Sequence, residues 1–172
     1  SQPLVLMSLL PKPDIAVLIP CHNEAASIAD VVAGFRSALP TADIYVYDNN
    51  STDKTVEIAH HAGAVVRNER RQGKGHVVRR MFADIDADIY VLVDGDGTYD
   101  APSVTDMVHR LQREHLDMIV GVRQSTNAEI AYRPGHQFGN QFFSFLVSML
   151  FGKQFTDILS GYRVMSRRFV KS

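Results

Sequence analysis

Five short apolar runs recur along this chain: "IAVLIP" at 15–20, "DIYVYD" at 43–48, "AVVR" at 64–67, "IYVLV" at 89–93 and "DMIVGV" at 117–122. A continuous apolar run of this length fits a strand buried on both faces, as in a parallel sheet. Between the runs lie stretches with helical spacing. Ile28, Val31, Val32, Phe35 and Leu39 share one face of "SIADVVAGFRSALP". "DKTVEIAHHAG" reads as a helix closed by Gly63, and "GKGHVVRRMFADI" as a helix with a glycine-rich entry. Pro102 is placed to open a helix that runs to about His115. This alternation predicts an α/β fold: a Rossmann-like, mostly parallel sheet with helices on both faces. In such sheets ligands sit beyond the carboxyl ends of the strands.

At 172 residues, a single domain over 1–172 is expected, with about 1–13 as an N-terminal extension. The end, "RVMSRRFVKS", carries no turn signal, so the domain is expected to continue past it. A net charge of −1 excludes polyanion binding by bulk electrostatics, and no aromatic-interleaved basic module points to nucleic acid. Cys21 is the only cysteine, so no intrachain disulfide forms and a reducing, cytoplasmic compartment is expected. No apolar run reaches the roughly 18 residues that span a bilayer. No basic segment precedes the apolar patch near the start, so a secretory signal is not expected.

The chemistry gathers where strands end. The first strand runs into "PCHNEAASI", the second into "YDNNSTDKT" and the fourth into "VDGDGTYD". Acids and amides therefore meet at three carboxyl ends: Asn23 and Glu24, Asp48 and Asn49, Asp94 and Asp96. Asp94 and Asp96 admit three readings. Asp and Gly cap strands routinely, so a plain turn is one. A calcium loop is the second, but Tyr99 and Thr105 stand where that template needs Gly and Glu. The third is a site for Mg²⁺ or Mn²⁺ and a diphosphate. Such ions bind through one or two carboxylates plus substrate phosphates. Gly95 and Gly97 remove side chains where a phosphate must approach. Neither a dinucleotide fingerprint nor a Walker P-loop is present.

"IPCHNEAASI", "YDNNSTDKT", "RQGKGH", "VDGDGTYD" and "DILSGYRVMSR" occur here in the order seen in family 2 inverting glycosyltransferases of the GT-A fold, which the chain resembles over about 15–168. Through "GVR" and "YRPGHQFGN" it most resembles the dolichyl- or polyprenyl-phosphate sugar synthases. The resemblance implies transfer of a sugar from a nucleotide sugar, a UDP-sugar favoured over GDP-mannose, to a lipid phosphate at the cytoplasmic face of a membrane. It implies that Pro20, Cys21 and Glu24 line the base and ribose. Asp48 would accept a hydrogen bond from the base, with Asn49 beside it, and Lys74 would contact the nucleotide. Asp94 would face the ribose and metal beside Gly95, and Asp96 would ligate Mg²⁺ or Mn²⁺. Arg123 and Arg133 would hold the acceptor phosphate, because a planar guanidinium pairs two oxygens at once. The chain departs from the family pattern at Asn49, where a second Asp is common, and at Thr98, where some relatives carry a Gln metal contact.

A phosphate acceptor is already ionised and needs no general base. A sugar hydroxyl would need one, and Asp157 is the candidate, with a structural loop cap as its alternative role. "NQFFSFLVSMLFG" fits either a core helix or a membrane-interface segment. Arg79 and Arg80 fit a solvated helix face as well as a phosphate role, and the helical histidines read as surface residues. Competing functions are transfer to a saccharide or small soluble acceptor, a non-catalytic nucleotide-binding module and a nucleotidyltransferase.

Overall fold

The computed structural model describes residues 11–121, 130–132 and 161–172. Within them the chain forms β1 (Ile15–Cys21), α1 (Ile28–Ala38), β2 (Asp43–Asp48), α2 (Thr55–His61), β3 (Val65–Asn68), α3 (Lys74–Asp84), β4 (Ile89–Val93), α4 (Val104–Arg113), β5 (Met118–Gly121), β6 (Ile130–Tyr132), β7 (Tyr162–Ser166) and α5 (Arg167–Lys171). The seven strands make one sheet in the order β3-β2-β1-β4-β7-β5-β6. β1 pairs in parallel with both β2 and β4, and β2 with β3. Five of the seven strands, β3, β2, β1, β4 and β5, therefore run the same way, so the sheet is mostly parallel, as the alternation predicts.

The apolar runs carry no polar alternation because both faces of the sheet are covered. Successive side chains in a strand point to opposite sides. Val17, Ile19 and Cys21 of β1 join one core with Ile28, Val32 and Phe35 of α1 and Met107 and Leu111 of α4. Ala16 and Leu18 join the other, with Val77, Val78 and Met81 of α3. Burying a side chain such as Phe35, 1% exposed, contributes about 1.5–3 kcal/mol. Helix spacing in the sequence therefore marks the residues that clamp the sheet.

One expectation is amended. The segment at Pro102 begins as a 3-10 turn over Ala101–Ser103, and the α-helix starts only at Val104 and ends at Arg113. Proline sits comfortably in that first turn, where its missing N–H has no partner to lose. The strand near the chain end is β7, and it lies between β4 and β5, antiparallel to both. A strand of that direction brings its beginning, not its end, to the carboxyl edge of β4: Tyr162 faces Val93. The alternation of strand and helix cannot signal this insertion, because pairing partners are fixed by tertiary contacts. Helix α5 follows, capped by Ser166, whose hydroxyl accepts from the Phe169 N–H.

Candidate active site

The carboxyl ends of β1, β2 and β4 and the entry of α3 enclose a pocket of about 290 Å³. Pro20, Cys21, Glu24, Asn49, Lys74, Asp94, Gly95 and Asp96 all line it, so eight expected site residues meet in one cavity. His22 and Gln72 line it too, and the sequence reading passed over both. Asp48 is not among the lining residues. It lies just behind them, 5% exposed, with Oδ2 accepting from the Ser51 N–H at 3.1 Å and Oδ1 buried without a donor. Arg123, Arg133 and Asp157 lie outside the described residues.

The first two strand-end loops hold each other. Asn23 turns the chain in the left-handed region at φ 53°, a conformation Asn tolerates. Its Oδ1 accepts from the Thr52 N–H at 2.8 Å, and its own N–H donates to Ser51 Oγ at 2.8 Å. The Glu24 N–H donates to the buried Thr55 hydroxyl at 2.9 Å. Asn, Ser and Thr beside Asp are the ordinary signal of side chains bonding backbone. That signal is present in "HNE" and "NNSTDKT", and much of it is spent on building the loops.

Asn49 serves a third segment. It is 4% exposed. Its amide donates to the Glu69 and Arg71 carbonyls, each at 2.8 Å, and Oδ1 accepts from the Gly73 N–H at 2.9 Å. An aspartate could not make the two donations. The departure from the common acidic motif is thereby explained: this side chain fixes the turn that delivers Lys74. His22 is held over the same strand end, its Nδ1 at 2.7 Å from the Asn49 carbonyl. A carbonyl only accepts, so Nδ1 carries the proton and Nε2 accepts from the Asn23 amide at 3.4 Å.

The "DGDG" turn rests on the first loop. A Cβ at Gly95 would lie 2.7 Å from Cys21 Sγ, so only glycine fits. Ser27 Oγ donates to the Gly95 carbonyl at 2.5 Å. Asp94 is 16% exposed and ion-paired through Oδ1 with Lys74, itself 19% exposed. Its Oδ2 accepts from the Gly161 N–H at 3.1 Å, at the start of β7. This is the position of "SGYR", and Gly161 at φ 128° supplies backbone few other residues adopt. Asp96 is exposed. Its Oδ1 accepts from the Thr98 N–H at 3.0 Å and hydroxyl at 2.8 Å, and Oδ2 has no partner among the described residues. Thr98 is therefore turned to Asp96 and orients it.

Glu24, Asp94 and Asp96 face a single lysine here, so the pocket carries a net charge of −2 with His22 neutral. Burial first, then the fields of Asp96 and Asp94, push the Glu24 carboxyl above its ordinary range. Burial, reinforced by Glu24 and Asp48, pushes the Cys21 thiol well up, so it is a packing group rather than a nucleophile. Among the described residues no three His, Cys, Asp or Glu side chains are grouped to hold a metal by themselves. Two carboxylates with an open oxygen on Asp96, in excess negative charge, do fit a hard divalent cation that draws its other ligands from a phosphate substrate. No described helix is long and apolar enough to cross a membrane.

Comparison with known proteins gives consistent results. The model of glycosyl transferase family 2 matches residues 16–172. Protein RfbJ of Shigella flexneri is 54% identical over 124 residues, 72% of this chain and 96% of RfbJ. A dolichyl-phosphate hexose transferase of Haloferax volcanii is 29% identical over 160 residues, covering 91% of this chain and 68% of that protein. Among solved structures, glucosyl-3-phosphoglycerate synthase from Mycobacterium tuberculosis, in complex with Mn²⁺, UDP-glucose and phosphoglyceric acid, superposes with a TM-score of 0.63 at 25% identity. The match covers 91% of this chain and 57% of that one, so the chain spans under two thirds of the solved relative.

Proposed function

The chain belongs to glycosyltransferase family 2 and has the GT-A fold, and from that premise we propose that it transfers a hexosyl group from a nucleoside-diphosphate sugar to a phosphate-bearing lipid, with inversion. The carrying observation is the convergence of Glu24, Lys74, Asp94 and Asp96 in one pocket at the carboxyl edge of the sheet. A UDP-sugar is favoured as donor, in line with the UDP-glucose bound by the mycobacterial synthase. A polyprenyl or dolichyl phosphate is favoured as acceptor, in line with the name of the Haloferax relative. Residues 1–172 are read as one catalytic domain, working peripherally at the cytoplasmic face of a membrane.

Each residue has a stated task. Asp48 Oδ1, buried without a donor, is the acceptor for a ring N–H of the base. Pro20 and Cys21 wall the base and ribose, and Asn49 holds the turn that aims Lys74 at the diphosphate. Asp96, with Asp94 behind it, would hold Mg²⁺ or Mn²⁺. When bound, that ion supplies Lewis-acid stabilisation of the leaving diphosphate. Lys74 leaves Asp94 for the diphosphate when the donor enters, since both partners are wanted by the ligand. An acceptor phosphate attacks as the anion it already is, held by Arg123 and Arg133. Attack from the face opposite the leaving group gives inversion.

A second reading is favoured by the phosphoglyceric acid in the mycobacterial complex: a small soluble acceptor, for which Asp157 is the candidate base if a hydroxyl reacts. Incubation of the protein with UDP-hexose, Mn²⁺ and either polyprenyl phosphate or phosphoglyceric acid separates the two by product. Release of UDP with a glycolipid supports the first reading. A water-soluble glycoside replaces it with the second. Asp96→Asn should keep the fold and lower turnover by at least about tenfold; an unchanged rate with unchanged Mn²⁺ dependence would remove Asp96 from the site.

A further inference from the structure

The turn that delivers Lys74 has a second side. Opposite the donor pocket, Glu69, Arg71, His76, Arg79 and Arg80 line an open cleft of about 390 Å³ between this turn and the outer face of α3. Three arginines against one glutamate leave it at +2 with His76 neutral, the reverse of the pocket across the turn. The segment Arg67–Arg80 concentrates six of the chain's 18 lysines and arginines, in a molecule whose net charge is −1.

The cleft is built rather than incidental. Glu69 is buried, and both its oxygens are committed: Oε1 accepts from the Arg71 N–H at 2.8 Å, and Oε2 faces Arg80 Nη1 at 3.4 Å. Arg80 is held on its other side by Asp84, Nε to Oδ2 at 3.2 Å. Arg71 is fixed by its backbone, with its N–H on Glu69 and its carbonyl on the Asn49 amide. Its guanidinium is exposed and has no acceptor among the described residues, and Arg80 keeps Nη2 without one. The held guanidinium of Arg80 with a spare Nη2, beside the uncommitted fork of Arg71, matches the paired oxygens of a phosphate.

We propose that this cleft is a second anion site, separate from the donor pocket, that takes a phosphate group through Arg71, His76 and Arg80, with Arg79 at its edge. The phosphate comes from a lipid headgroup or from a soluble phosphate, and the two sources share the same contacts. The site does not depend on the transferase reading, because it needs neither donor nor metal.

The test uses the whole chain in EDTA at low ionic strength, where screening is weak. Inorganic phosphate is titrated while backbone amide resonances are followed. Saturable shifts at Arg71 and His76 are expected. Affinity should fall by about tenfold in Arg71→Gln/Arg79→Gln, the size of effect a charged hydrogen bond gives. It should hold in Arg110→Gln/Arg113→Gln, which removes the same two charges from α4, and in Asp96→Asn. Co-sedimentation with vesicles of equal parts phosphatidylglycerol and phosphatidylcholine then identifies the source. Vesicle binding lost in Arg71→Gln/Arg79→Gln assigns a lipid headgroup; no vesicle binding beside phosphate binding assigns a soluble phosphate. The proposal is overturned if neither probe binds, if Arg110→Gln/Arg113→Gln weakens binding as much as Arg71→Gln/Arg79→Gln, or if Asp96→Asn abolishes it. The last result would place the phosphate in the donor pocket and leave the transferase reading standing.

Discussion

At the scale of residues, one buried and one half-buried carboxyl make opposite demands. Asp48 keeps a buried oxygen without a donor, a condition that costs folding energy unless a ligand meets it. Asp48→Ala should therefore weaken UDP binding by about 1–3 kcal/mol, measured calorimetrically without metal; equal affinity in the two proteins would refute the assignment. Glu24 gives a pH signature. Its folded pKa is raised from the ordinary 4.5, by burial first and then by Asp96 and Asp94. The folded state then holds the proton more tightly than the unfolded chain. Stability is greatest below 4.5 and falls as pH rises from there through the raised value. Metal-free Glu24→Gln should accordingly melt higher than the parent at pH 7, with the advantage gone near pH 4. Identical melting curves at pH 7 would show that the carboxylate is not penalised there.

At the scale of elements, the site is a set of loops that lean on one another. The "DGDG" turn packs on Cys21, and the turn before α3 hangs from Asn49. Gly95→Ala would drive a methyl against Cys21 Sγ, an overpacking that costs about 1–3 kcal/mol. Cys21→Ala removes the opposing atom, so the double variant should recover part of that loss. Urea unfolding of the four proteins measures the coupling. Strict additivity would show that the turn yields elsewhere, since Ile19 Cγ2 at 3.4 Å is the next atom a Cβ would meet.

At the scale of the whole molecule, β7 joins two halves of the sheet. It pairs with β4 on one side and β5 on the other, and Tyr162, Val164 and Met165 are all buried. Each such side chain is worth about 1.5–3 kcal/mol on burial, a total comparable with the roughly 5–15 kcal/mol that holds a domain together. A chain ending at residue 160 should lose its cooperative thermal transition, as followed by circular dichroism. A sharp transition retained there would mean that β4 and β5 hold without it. The sequence by itself determined five of the seven strands and the helices between them, because local spacing of apolar side chains dictates which face is buried. "IYVLV" and "DIYVYD" became β4 and β2 with those bounds. It also marked Glu24, Asp94 and Asp96 as acids gathered at strand ends, and the family resemblance pointed to Lys74. Only the tertiary structure decided that β7 runs antiparallel and lays the Gly161 N–H on Asp94, that Asn49 supports a turn, and that Asp48 stands behind the pocket wall. These depend on which strand lies beside which and on where hydrogen-bond donors end up in space. Residues far apart in the chain settle both, and no local pattern records them.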